Sequence, residues 1–210
     1  MTKCCCISDL HGKLPQLEID DCDLLLIAGD VCPLENEAGQ NKWLDKQFIP
    51  WLKTIKIPVV MCSGNHDWPF YYNPFYLKKP SLSHVHHLQN ETVTINDVTI
   101  FGTPWTLEFN NWAFNTNEAG LNKVCEKIPK DIDLILSHGP PKGYGDMAQG
   151  EHVGSSIVRA YIEIIQPKYM VYGHIHGGYG VYEHGSTKLI NCSLVDDFYR
   201  TVNDPVYITV

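Results

Sequence analysis

Arginine is almost missing from this chain. Of the 16 basic side chains in 210 residues, only Arg159 and Arg200 are guanidinium groups, and 24 acidic residues leave a formal net charge of −8. A surface built to grip long nucleic acid needs the opposite balance. Planar clamps on phosphate are equally scarce. A long apolar run is also lacking, since the longest, Leu24 to Ala28, falls far short of the ~20 residues that span a bilayer. No secretory leader is visible at the N-terminus. No CxxC pair occurs, which leaves little for a zinc-ribbon reading. Repeats, low-complexity segments and linkers are absent too. These absences point to one domain over residues 1–210, acting in the cytoplasm, with no membrane and no long nucleic acid as partner.

The eight cysteines do not form a disulfide framework by pattern. Cys4, Cys5 and Cys6 are consecutive, so in a strand they alternate between faces and cannot pair locally. Cys22, Cys32, Cys62, Cys125 and Cys192 stand apart among apolar neighbours. Buried free thiols in a reducing compartment account for all of them.

Short apolar runs bounded by turn residues mark the strands. They cover Lys3 to Ser8, Leu24 to Ala28, Val59 to Cys62, Ile132 to Leu136 and Lys168 to Tyr172. Trp43, Leu44, Phe48, Trp51, Leu52 and Ile55 recur at helical spacing, with Pro50 as an interruption. Helices are also predicted over Glu118 to Ile128 and Ser155 to Ile165, the second closing at Gln166-Pro167. A hairpin turning at Asn96-Asp97 and short strands near Tyr179, Thr187 and Val206 complete an α/β reading. The stretch from Trp68 to Pro80 reads as a loop, and His84, His86 and His87 read as an ordinary strand or turn because no acidic partner accompanies them. For the aromatics of the segment from Trp105 to Phe114, packing is the default expectation.

What is present is a set of polar residues at strand ends. Asp9 and His11 follow the first strand, Asp30 the second, and Asn65, His66 and Asp67 the third; His138 and the pair His174/His176 follow the last two. Glycine escorts each group. Open α/β sheets keep their chemistry at the carboxyl ends of strands. Two carboxylates, one amide oxygen and four imidazoles suit a pair of borderline divalent metals better than calcium or magnesium. Two such ions bring four positive charges; Asp9, Asp30 and a bridging hydroxide remove three. One positive charge remains, matched to a phosphodiester monoanion, so an arginine-poor protein can still bind phosphate.

The succession D-x-H, G-D, G-N-H-D, H and G-H-x-H from Asp9 to His176 resembles the calcineurin-like metallophosphoesterase superfamily. Gly102-Thr103-Pro104-Trp105, Asn111-Trp112-Ala113-Phe114, Ser137-His138-Gly139-Pro140-Pro141 and the run from Gly173 to Gly180 are similar to one branch, the metallophosphoesterase-domain-containing proteins. That branch is related to class III cyclic nucleotide phosphodiesterases. The resemblance implies a four-layer α/β/β/α sandwich. It also implies two divalent ions (Mn, Fe, Zn or Co, with Mn expected to support activity in vitro). One ion would take Asp9, His11 and His176, the other Asn65, His138 and His174, with Asp30 bridging. His66 would serve as acid near the leaving oxygen, and Asp67 would orient it.

The implied activity is hydrolysis of a small phosphodiester, a cyclic nucleotide being one candidate, by in-line attack of a metal-bridging hydroxide. Where phosphoserine phosphatases of the superfamily continue with Asp-Arg-Gly, this chain has Val31-Cys32-Pro33 after Asp30, so monoesters are expected to be poorer substrates. The alternatives are a nuclease or phosphomonoesterase of the same superfamily and a metal-binding scaffold without chemistry. A dimer is compatible with the sequence, which does not specify it.

Overall fold

A computed structural model describes residues 1–210. One sheet has the strand order Val206–Thr209, Lys3–Ile7, Leu24–Ala28, Val59–Cys62, Val85–His87. The other runs Gly180–His184, Thr187–Asn191, Tyr169–Tyr172, Leu134–Ser137, Val98–Thr103, Glu91–Ile95. Within each, the central strands are parallel and the flanking Val206–Thr209, Gly180–His184 and Glu91–Ile95 are antiparallel. Parallel central strands place their carboxyl ends on one rim, which is where the ligand-type residues emerge.

Alternation along the strands builds the layers. Leu24, Leu26, Ala28, Cys4 and Cys6 point to the core between the sheets, where they meet Ile100, Leu134, Leu136, Val171 and Ile190. Leu25, Ile27, Cys5 and Ile7 face the other way, onto Trp43, Leu44, Phe48 and Leu52 of a covering helix. A third cluster packs the second sheet against Val124 and Ile162 of the helices Glu118–Cys125 and Ser156–Ile165. The result is the expected α/β/β/α sandwich. All eight cysteines are buried and free, the consecutive three divided between two cores. Each fully buried leucine or isoleucine here contributes about 1.5–3 kcal/mol.

Several local readings change. The helix begins earlier, at Glu37, capped by Asn36, whose side chain accepts from the Gly39 N–H. Pro50 does not break it, because Leu44–Phe48 winds as a π-turn in which the Ile49 N–H reaches Leu44 O. The wider turn absorbs the missing proline N–H, and the chain continues as Ile49–Thr54. Trp68–Tyr72 is a short helix inside the segment read as loop, with Pro69 in its first turn. Glu118–Cys125 stops short of Ile128. Asn96 and Asp97, at φ 49° and 63°, make the hairpin turn as expected, but its second strand continues through Thr103 before leaving the sheet at Pro104. No helix is long and apolar enough to cross a membrane.

Val85–His87 is a parallel edge strand, and His84 and His87 turn to different partners. His84 Nε2 lies 3.0 Å from Leu52 O, and His87 Nε2 lies 2.8 Å from Ser63 Oγ. They form no cluster, as the lack of an acidic neighbour implied.

Candidate metal centre and its cleft

Sharp turns at the rim bring the polar residues together. Asp9, His11, Asp30 and His174 have φ of 56°, 42°, 51° and 69°, the left-handed region that side chains other than glycine seldom adopt. Such conformations cost about 1–3 kcal/mol each and persist where the surroundings over-determine them. Here the surroundings are backbone hydrogen bonds: Asp9 N–H to Gly29 O at 3.0 Å and His11 N–H to Asp30 O at 3.0 Å. The Asp9 carboxylate in turn accepts from the His174 N–H at 3.1 and 3.2 Å. Glycine is required at two close approaches. A Cβ on Gly64 would overlap the Asp30 carboxylate, and one on Gly173 would overlap Ser8 Oγ and Asp9 Oδ2.

All seven residues expected as ligands converge. Asp9, His11 and His176 present donor atoms within 4.8 Å of one another, and so do Asp9, Asp30 and His138. Asp30 Oδ2 lies 3.8 Å from His11 Nε2 and 3.3 Å from His138 Nε2, between the two groups. Asn65 Oδ1 is 3.0 Å from His138 Nε2, and the His174 ring meets the His138 ring edge-on at 5.0 Å. Asp9 reaches both groups rather than one, which the spacing of motifs did not foretell.

The orientation of the imidazoles tests whether a cation fits. His138 Nδ1 faces Ala28 O at 2.8 Å, and His176 Nδ1 faces Asp196 O at 3.1 Å. An imidazole nitrogen opposite a carbonyl must donate, which leaves Nε2 as the inward-facing atom in each ring. At the centre, the Asp9 carboxylate, His11 Nε2 and His176 Nε2 face one another, with the two nitrogens 3.3 Å apart and His11 Nδ1 buried without a partner. Carboxylate and imidazole donor atoms converging this closely are what a divalent cation binds, and backbone carbonyls supply the outer hydrogen bonds that His138 and His176 need as ligands. The donor set fits the group.

Without metal, protons take part of that role. Burial disfavours the charged form of His138, but the Asp30 carboxylate beside it prevails and raises the imidazole to about 9. Burial and the His138 charge push His174 down to about 3, and burial brings His11 to about 4. Burial opposes ionisation of Asp9, yet the contacts from His176 and His138 hold its carboxyl at about 2. His138 being raised, its pairing with Asp30 stabilises the metal-free fold fully below about 6.5 and fades as pH rises through about 9. A cation must displace that proton. Loading Mn²⁺ at pH 7.5 is expected to release about one proton from His138. Calorimetry in two buffers of different ionisation enthalpy reads this directly, and identical heats in both would rule it out.

His66 and Asp67 behave differently from each other. Each ring nitrogen of His66 lacks a partner within the chain, while its backbone is clamped: the N–H donates to Asp30 Oδ1 at 2.7 Å, and the carbonyl accepts from Gln40 Nε2 at 2.8 Å. Its ring lies 4.2 Å from Trp112 and 5.1 Å from His11. Asp67 does not orient that ring, contrary to expectation. Its Oδ1 accepts from Cys32 N–H at 2.9 Å and its Oδ2 from Gly64 N–H at 2.8 Å, so it ties two ligand loops together. Burial and the charge of Asp30 push its carboxyl up to about 6. Cys32 is fully buried, and burial raises its thiol well above the usual value, so it packs.

The residues open onto a cleft of about 740 Å³. Asp30, Asn65, His66, His174 and His176 form its floor; Trp105, Leu107, Phe109 and Trp112 form one wall. Aromatic packing therefore holds for Phe114, buried in the core, but Phe109 and Trp112 face the cleft. Tyr71 and Tyr72 do not reach it. None of the lining side chains is lysine or arginine. Sequence reasoning also passed over Gln40, Asp196 and Tyr199. Gln40 and Asp196 act on the site through hydrogen bonds, and no motif announces such contacts.

Residues 2–178 match the family of calcineurin-like phosphoesterases. The chain belongs to that family. This calcineurin-like phosphoesterase is 32% identical to UPF0046 protein T07D4.2 of Caenorhabditis elegans over 96% of its own length. It is 31% identical to the human metallophosphoesterase domain-containing protein 1 over 99% of its length. It spans 58% of the worm protein and 70% of the human one. Among solved structures, the chain superposes on TT1561 of Thermus thermophilus with a TM-score of 0.67 at 15% identity, covering 90% of this chain and 88% of that one. GAP50, the anchor in the inner membrane complex of Plasmodium, shares the fold at a TM-score of 0.54 and 13% identity, covering 92% of this chain and 71% of that one.

Proposed function

We propose that this calcineurin-like phosphoesterase hydrolyses small phosphodiesters at a pair of divalent ions, with His66 as the acid for the departing alcohol. The observation that carries the reading is the convergence of seven ligand-type side chains, four of them on the floor of a cleft lined by no lysine or arginine. Both arginines are engaged by their own neighbours: Arg159 with Glu163 at 3.0 Å and Arg200 with Asp196 at 2.6 Å. Phosphate charge must then be met by the ions, and a diester brings less of it than a monoester.

Asp9, His11 and His176 would hold one ion in this reading; Asn65, His138 and His174 would hold the other, with Asp30 available to both. When bound, the ions supply a water nucleophile active near neutral pH and neutralise the phosphoryl group. Asp30 also sets the position of His66 through the 2.7 Å bond to its backbone, which couples the floor of the site to the acid. The His66 ring nitrogens are free to give a proton to the leaving oxygen. Trp105, Phe109 and Trp112 offer flat apolar surface to the alcohol portion, a base or another ring. We place the enzyme in the cytoplasm with Mn²⁺ as its metal in vitro and no long nucleic acid as substrate.

Rates on bis-p-nitrophenyl phosphate and p-nitrophenyl phosphate, with Mn²⁺ and with chelator, test this. The expected result is a chelator-sensitive preference for the diester of about tenfold or more, the worth of one unmet charge contact. Preference for the monoester would make the protein a phosphatase. Inertness toward both, with metal bound, would leave a scaffold, and steep loss of activity with salt a nuclease.

A further inference from the structure

Tyr199 stands in an unusual place for a bulky side chain. Its φ is 59°, in the left-handed region, and it lies beyond residues 2–178 that match the family. Strain of this kind points from a conformation to a use. The turn that holds it is built around one carboxylate. Asp196 Oδ1 accepts from the N–H groups of Phe198 at 3.0 Å and Arg200 at 2.9 Å, and Oδ2 accepts from Arg200 Nε at 2.8 Å. The Tyr199 N–H closes on Asp196 O at 2.8 Å, and Lys13 Nζ donates to its carbonyl. The same Asp196 carbonyl accepts from His176 Nδ1, so turn and metal centre are one hydrogen-bonded unit.

This rigid turn delivers an aromatic ring to the floor of the cleft. The Tyr199 ring meets His11 edge-on at 4.8 Å and His176 at 5.2 Å, and it lines the cleft beside Asp30 and His66. Its hydroxyl makes no hydrogen bond within the chain, unlike those of Tyr76, Tyr144, Tyr172 and Tyr182. A phenol hydroxyl carries its proton near neutral pH, so it can serve as a donor. A strained backbone, a fixed ring and an idle donor beside a cleft lined by no lysine or arginine have one common explanation.

We infer that the Tyr199 hydroxyl donates a hydrogen bond to a phosphoryl oxygen of the bound ester, the contact that a guanidinium supplies in arginine-rich sites. The inference rests on the phosphoesterase reading of the floor residues, and its test separates the two. Tyr199→Phe keeps the ring, its contacts with both imidazoles and the turn, and removes only the donor. Binding of inorganic phosphate to the Mn²⁺-loaded protein is measured by calorimetry, alongside Mn²⁺ stoichiometry and kcat/KM on bis-p-nitrophenyl phosphate.

The variant is expected to bind as much Mn²⁺ as the wild type while its phosphate affinity falls about 10- to 100-fold, the range for a hydrogen bond to a charged acceptor. The value of kcat/KM should fall in proportion. Phosphate affinity within about twofold of wild type, metal still bound, would overturn the inference. So would loss of a metal equivalent, which would make the hydroxyl a prop for the ligands. If the wild type hydrolyses nothing, the proposed activity fails, while the phosphate comparison still decides the role of Tyr199.

Discussion

Asp30→Asn is expected to lower hydrolysis of bis-p-nitrophenyl phosphate by at least about 10²–10³-fold, the scale for deleting one electrostatic partner from a preorganised site. The change is nearly isosteric. Asparagine retains an oxygen to accept the His66 N–H, which now reaches Asp30 Oδ1 at 2.7 Å, so the loop need not move. What disappears is the negative charge between the two ligand groups, 3.3 Å from His138 Nε2 and 3.8 Å from His11 Nε2. Two consequences should appear together. Metal affinity falls at pH 7.5, because the ligand between the ions no longer carries charge. Proton release on metal binding also shrinks, because His138 loses the partner that raises it to about 9. Activity within about tenfold of wild type would remove Asp30 from the bridging position.

The outcome depends on removal of charge rather than collapse of the fold, and the architecture permits that separation. Leu24–Ala28, which leads into Asp30, is completely buried between two cores and does not depend on the carboxylate for packing. A melting curve of Asp30→Asn close to the wild-type curve, with activity lost, is the pattern that distinguishes chemistry from stability. Asp67 should give the reverse pattern, since its oxygens secure the Cys32 and Gly64 amides and touch no ring nitrogen.

How far the sequence reads into this structure depends on the kind of contact. Apolar runs such as Leu24–Ala28 announce themselves because burial on both faces demands uninterrupted hydrophobicity. Parallel pairing then fixes which end carries polar residues, so the convergence of seven ligand-type side chains was legible. The part played by Asp67 was not. Adjacent residues at a turn leave in different directions, and only backbone geometry shows that its carboxylate turns inward to amides. Pairings such as Thr106–Leu107 with Asn115–Thr116, and Met147–Ala148 with Glu151–His152, are too short to carry a period, so the cleft wall they support was invisible. Tyr199 escaped because no spacing signals a left-handed aromatic. Gln40 and Asp196 escaped because their hydrogen bonds to the site run to or from the backbone.

His66→Ala is expected to reduce turnover by about 10²–10⁴-fold on a diester with an alkyl leaving group, and much less on p-nitrophenyl esters. The difference follows from the proton. An alkoxide is a strong base and needs a donor as the bond to phosphorus breaks, whereas p-nitrophenolate departs without one. In the proposed reading His66 is such a donor, and its ring is not used to hold the fold: the backbone of His66 is fixed by Asp30 and Gln40, and both ring nitrogens are free of intramolecular bonds. The ring is steadied by Trp112, 4.2 Å away, in place of the carboxylate that sequence adjacency offered. Alanine at this position keeps the backbone contacts, so Mn²⁺ stoichiometry should be unchanged. Rates measured across esters of graded leaving-group basicity carry the decision. A steeper dependence in the variant than in the wild type makes His66 the acid. Equal losses across the series would assign it to binding or positioning, and loss of metal would move it among the ligands.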